Sequence, residues 1–163
     1  MKQAVVFYTR DGSTRVAAEV IGEKFGADVF ELEPVRPYGQ GIGGFMRGVF
    51  GAAFGLKPAL KGDVAVKLGE YDKVYVGSPL WAARMAPPLN TFLASLDAGG
   101  KEIVLFTLQA DPTATEPASG VKKLAESLQS RGALNVKTVA LFGAGVKKTA
   151  EKAEMTRRID EKF

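Results

Sequence analysis

The sequence predicts an α/β protein: a three-layer, doubly wound, five-stranded parallel sheet with strand order 2-1-3-4-5. Three observations carry this. Short apolar runs alternate with segments of helical spacing, which is the order of parallel strands joined by helical crossovers. The central runs are continuously apolar, as strands covered on both faces must be. Glycines stand where helices should stop.

The elements follow in order. Ala4 to Tyr8 reads as a buried strand. Val16 to Phe25 has apolar residues at Val16, Val20, Ile21 and Phe25, a helical spacing, and Gly26 ends it. Asp28 to Glu33 places Phe30 and Leu32 between polar neighbours, with Val29 breaking the alternation. It reads as a strand with one wetter face, as at an edge. Lys73 to Gly77 is the third strand. Pro87-Pro88 opens a helix through Phe92 and Leu96, proline being tolerated in a first turn. Lys101 to Leu108 is the fourth strand, Pro117 to Arg131 a helix closed by Gly132, and Val136 to Gly143 the fifth strand. Lys147 to Lys162 is a charged terminal helix. Crossovers in such a sheet are right-handed.

Residues 36–62 do not fit this alternation. They form an insert between the second and third strands, rich in glycine and holding Phe45, Phe50 and Phe54. Phe45, Val49 and Ala53 share one weak helical stripe, and Met46, Phe50 and Phe54 another. Each glycine costs a helix about 1 kcal/mol, so a helix here must borrow stability from packing. The stripe is expected to pack against the domain.

The 163 residues set one domain, 1–163, as the expectation. Cysteine and histidine are both absent. That excludes disulfides, iron–sulfur ligation, Cys/His zinc sites and thiol or Ser–His nucleophiles. Chemistry must come from carboxylates, hydroxyls, lysines, oxygen-bound metal or an organic cofactor, and no spacing selects a catalytic set or metal ligands. Ala4–Tyr8 is too short for a secretory signal, and no run reaches the ~18 apolar residues of a membrane span, so a cytoplasmic protein is expected. The formal charge is +4. From Pro34 to Lys67 five basic residues (Arg36, Arg47, Lys57, Lys61, Lys67) face one acid, Asp63, so this stretch holds the entire excess. It suits a solvated loop or a contact with an anionic partner such as a membrane surface. It carries no nucleic-acid motif, and nucleic acid is not an expected partner.

Thr9-Arg10-Asp11-Gly12-Ser13-Thr14 follows the first strand and opens the first helix, where an open α/β sheet places its ligand crevice. Helix N–H groups, hydroxyls and a glycine here make a phosphate cradle. The alternative is a polar turn in which Ser13 or Asp11 caps the helix. After the third strand comes Gly77-Ser78-Pro79-Leu80-Trp81-Ala82, and after the fourth Leu108-Gln109-Ala110-Asp111. Gly39-Gln40-Gly41-Ile42-Gly43-Gly44 matches G-x-G-x-x-G but neither follows a strand directly nor opens a predicted helix, so it reads as chance. Phe142 to Gly145 reads as a strand-end turn.

The first loop resembles the flavodoxin phosphate loop, T/S-x-T-G-x-T, at Thr9, Gly12, Ser13 and Thr14, with Asp11 replacing a hydroxyl. A TRDG loop also resembles the menaquinone-dependent protoporphyrinogen dehydrogenases. The second loop resembles the G-[ST]-P-x-W loop of flavodoxin-family sequences, in which an aromatic borders the flavin. The resemblance spans Lys2 to about Gly143.

That resemblance implies a flavodoxin-like fold, FMN as cofactor and electron carriage as function. Thr9, Arg10, Asp11, Gly12, Ser13 and Thr14 would hold the phosphate. Ser78, Pro79, Leu80, Trp81 and Ala82, with Leu108, Gln109, Ala110 and Asp111, would frame the ring, Trp81 stacking on it unless it is a core residue. Asp11 is expected to turn away or be offset by Arg10 or Arg15. The third loop lacks the second aromatic of many flavodoxins, so one flavin face is expected to be less covered and FMN binding weaker. Redox partner proteins, or a small substrate such as a quinone, are the implied partners of a monomer or homodimer. An NAD(P)H- or quinone-linked oxidoreductase and an FMN-less interaction module are the alternatives.

Overall fold

The computed structural model describes residues 1–145 and 148–163. In chain order the elements are β1 (Gln3–Phe7), α1 (Ser13–Phe25), β2 (Asp28–Glu31), α2 (Ile42–Ala53), α3 (Val64–Lys67) running into a 3-10 turn (Leu68–Glu70), and β3 (Lys73–Trp81). Then come β4 (Arg84–Met85), α4 (Pro87–Ser95), β5 (Glu102–Gln109), α5 (Ser119–Ser130), β6 (Asn135–Phe142) and α6 (Lys152–Lys162). Lys147, where the terminal helix was expected to begin, lies outside the described residues.

Five strands pair in parallel in the order β2-β1-β3-β5-β6, and the two-residue β4 pairs antiparallel with β3. This is the expected 2-1-3-4-5 arrangement with one added strand. The reason the central strands read as continuously apolar is now visible. In β1, Ala4 and Val6 enter the core on one face, and Val5 and Phe7 the core on the other. β5 alternates likewise, with Ile103 and Leu105 on the first face and Val104 and Phe106 on the second. Leu89, Phe92 and Leu93 of α4 and Val121 and Leu128 of α5 cover the first. Ala17, Ala18 and Ile21 of α1 and Met155 and Ile159 of α6 cover the second. The result is three layers. β2, short and partly exposed, is an edge strand as its composition predicts.

Two local expectations change. The segment from Gly77 to Trp81 is not loop: β3 continues through Trp81 and turns back at Ala82-Ala83 into β4. Both alanines have positive φ, 48° and 59°, the conformation a tight hairpin requires and L residues resist by about 1 kcal/mol each. Ser78 fastens this hairpin, its buried hydroxyl accepting from the Ala86 N–H (2.7 Å) at the start of α4. The insert does form a helix, α2, but its stripe does not all face the domain: Met46, Phe50 and Phe54 are exposed. Glycine decides this. Gly48 lies on the Trp81 ring, where an added Cβ would come within 2.6 Å, and Gly51 lies on Pro87. Small residues let the helix approach closely on one side, which leaves the large ones on the other.

Candidate functional site

The strands' carboxyl ends converge on a cavity of about 380 Å³ at the β1/β3 switch point. The loop after β1 contributes Arg10, Asp11, Ser13 and Thr14. The β3–β4 hairpin contributes Pro79, Leu80 and Trp81, and the end of β5 and its loop contribute Leu108, Gln109 and Ala110. Of the residues singled out in the sequence, the cavity gathers these ten.

The other five lie beside it. Thr9 accepts the Gly12 N–H (2.9 Å) and shapes the turn. Gly12 takes φ 92°, and its open flank meets the Thr149 side chain, 3.2 Å from where a Cβ would stand. It borders an adjoining depression of about 660 Å³ rather than the main cavity. Ser78 is fully buried under the hairpin, and Ala82 sits at the hairpin tip. Asp111 is exposed; bonds from the Thr113 hydroxyl and N–H hold its carboxyl below the usual range.

The chemistry of the first loop is specific. No side chain caps α1, which rules out the Ser13 or Asp11 cap, and its first turn holds no acid. Its leading N–H groups are therefore left for another acceptor. The Ser13 hydroxyl accepts the Ala150 N–H (3.0 Å) and donates to the Lys148 carbonyl (3.4 Å), so it fastens the segment after β6. Thr149 adds a bond from its hydroxyl to the Asp11 carbonyl (2.6 Å). Of the two cations that could offset Asp11, Arg10 does so (3.4 Å), while Arg15 pairs with Glu31 (2.7 Å).

Arg10 is the unusual group. Its side chain is only 9% exposed. One end donates to the carbonyls of Gln40 (3.0 Å) and Gly41 (3.3 Å), and the guanidinium lies over Phe45 at 5.3 Å. Its Nε is buried without a partner among the described residues. A buried unpaired donor costs about 1–3 kcal/mol.

The remaining walls went unread in the sequence. Gln40, Ile42 and Phe45 arrive from the insert, and Gly143, Ala144, Gly145 and Lys148 from the loop after β6. The second group was signalled by position, at the carboxyl end of a strand. Arg158 of α6 holds that loop, donating to the Phe142 carbonyl (2.8 Å). Phe45 brings an aromatic from α2 to the cavity wall, edge-on against Trp81. Trp81 itself is 6% exposed, ringed edge-on by Tyr8, Tyr38 and Phe45 at 5.8–6.1 Å. It is both a core residue and cavity wall. Burial raises the pKa of Tyr8 and Tyr38 above the ordinary phenol range, so this aromatic wall stays uncharged.

Fold and crevice together define a doubly wound α/β protein with its cavity at the topological switch point. Residues 2–157 match the family model described as Flavodoxin, and the chain belongs to the flavodoxin family. Its fold is similar to a Bacteroides uniformis protein (TM-score 0.72, 22% identity, 98% of this chain and 97% of that one). It is also similar to a Lactobacillus acidophilus flavoprotein solved in complex with FMN (0.65, 19%, 85% and 93%). A third likeness is to oxidised Flavodoxin 1 of Bacillus cereus (0.56, 18%, 99% and 94%). No curated protein matches the chain.

Proposed function

We propose that the protein binds FMN in this cavity and carries electrons through it. The observation that carries the reading is the uncapped terminus of α1 beside the Arg10 guanidinium, at one end of an apolar slot. A dianionic phosphate suits the first, and a planar tricyclic ring the second. Thr9 to Thr14 would hold the phosphate, with Lys148 as a further cation. Pro79, Leu80 and Trp81, together with Leu108, Gln109, Ala110 and Phe45, would frame the ring. Bound FMN supplies one- and two-electron chemistry; the protein binds it, orients it and sets its potential. The basic insert beside the cavity, in a chain whose sequence pI is about 9.3, favours a reduced, anionic flavin, so a potential less negative than that of acidic flavodoxins is expected. Redox proteins of the cytoplasm would be its partners.

The test is an absorbance spectrum of the purified protein with added FMN, followed by stepwise anaerobic reduction. A saturable, reducible yellow complex is expected. Protein that stays colourless at any FMN concentration overturns the reading and leaves an interaction module.

A second reading, an NAD(P)H- or quinone-linked oxidoreductase, is favoured by one feature: the apolar helix α2 reaches the cavity through Ile42 and Phe45. Steady-state turnover with NAD(P)H and quinones separates an enzyme from a carrier.

A further inference from the structure

Helix α2 packs inside out. Gly48, Gly51 and Ala52 face the domain, against Trp81 and Pro87. Phe45 and Val49 also pack inward, while four other large residues face solvent: Ile42 is 83% exposed and Phe54 76%, with Met46 and Phe50 exposed between them. These four recur every fourth position, so they form one ridge along the helix. Leu56 extends the exposed surface past its end. Arg47 is the only charged residue from Ile42 to Ala53. A helix so apolar all round belongs in a core or a lipid environment, and contiguous exposed residues of this kind mark an interaction surface.

The charge flanking it in the chain is one-sided. The stretch 34–67 carries the whole net charge of the chain. Arg36, Lys57 and Lys67 have no acidic partner among the described residues, and Lys61 meets only the exposed Glu33.

We propose that α2 and its flanking cations dock the protein on an anionic lipid bilayer. The ridge would lie at the boundary of headgroups and acyl chains, and the cations against lipid phosphates. A second copy of this chain would match the apolar ridge but bring the same excess of cations against it, whereas anionic lipid supplies both an apolar layer and the opposite charge. The helix does not span: its 12 residues cover about 18 Å against a hydrocarbon core of about 30 Å. No helix among the described residues is long and apolar enough to cross a membrane. Because Ile42 and Phe45 also line the cavity, docking turns the cavity mouth toward the bilayer. That last consequence, and only that one, rests on the FMN reading.

The test is co-sedimentation of the full chain, with and without FMN, on vesicles of phosphatidylcholine alone and of phosphatidylcholine with one third phosphatidylglycerol. Binding to the anionic vesicles, weakened by salt, is expected. A Met46→Ser, Phe50→Ser, Phe54→Ser variant should lose at least about tenfold in vesicle affinity with its FMN titration unchanged. Arg36→Gln and Lys57→Gln should each lose about fivefold. Equal partition onto both vesicle types, or none onto either, overturns the proposal. So does a dimer in analytical ultracentrifugation that the triple variant dissolves, because a second copy then covers the ridge. Colourless protein that still sediments with anionic vesicles sinks the FMN reading alone; yellow protein that ignores them sinks only the docking.

Discussion

At the scale of single residues, the proposed phosphate site turns on Arg10. It is nearly buried, it stacks on Phe45, and its bonds to the carbonyls of Gln40 and Gly41 tie the insert to the loop after β1. A hydrogen bond to a charged group contributes about 1.5–3 kcal/mol, and about 1.4 kcal/mol is tenfold in affinity. Arg10→Gln should therefore weaken FMN binding by about ten- to a hundredfold and leave riboflavin, which lacks the phosphate, almost unaffected. Calorimetric titration of both ligands checks this. An equal loss for both would mean that Arg10 only braces the insert. Arg10 stands in the sequence beside Thr9 and Asp11, so its membership of the loop was legible. Its buried, half-satisfied state was not, because that depends on carbonyls thirty residues away in chain order.

Among the elements, α2 shows packing overriding propensity. Eight glycines between Arg36 and Gly62 argue against a helix there, yet α2 forms because glycine is what allows contact with Trp81 and Pro87. Two substitutions separate the effects. At Gly43 an added Cβ meets nothing within 4 Å, so Gly43→Ala should stabilise the protein by about 0.5–1 kcal/mol through helix propensity. At Gly48 the same methyl would stand 2.6 Å from the Trp81 ring. Overpacking costs about 1–3 kcal/mol and exceeds the gain in propensity, so Gly48→Ala should be net destabilising. Urea midpoints at constant m-value read both; a stabilised Gly48→Ala would show that α2 is free to move off the tryptophan. The strands, by contrast, were legible almost residue by residue, since burial on two faces writes an unbroken apolar run. The extension of β3 to Trp81 was hidden by Pro79, which reads as loop but sits in the strand opposite Leu108.

For the whole molecule, the four tyrosines couple stability to alkaline pH. All of them hold their protons more tightly than a free phenol. Burial is the main cause for Tyr8, Tyr38 and Tyr75, and the bond from the Tyr71 hydroxyl to the Asp28 carboxylate (2.6 Å) is the main cause for Tyr71. They are spread over β1, the insert, the turn before β3 and β3 itself, so no local opening frees all four. The unfolded chain ionises its tyrosines near pH 10, and the folded chain only above that. Folding then retains protons that unfolding releases. Stability is full below about pH 10 and falls as pH rises through the window above it, by up to about 1.4 kcal/mol per pH unit for each tyrosine. Tyrosinate absorbance at 295 nm should therefore lag in the folded protein and appear together with loss of the circular dichroism signal, not before it. Tyr8→Phe should flatten the decline of the urea midpoint above pH 10. A phenolate signal with a midpoint near 10 in a chain that is still folded, and absent from the Tyr8→Phe variant, would show that the aromatic wall around Trp81 admits water, and a cavity walled that way could not keep a flavin ring dry.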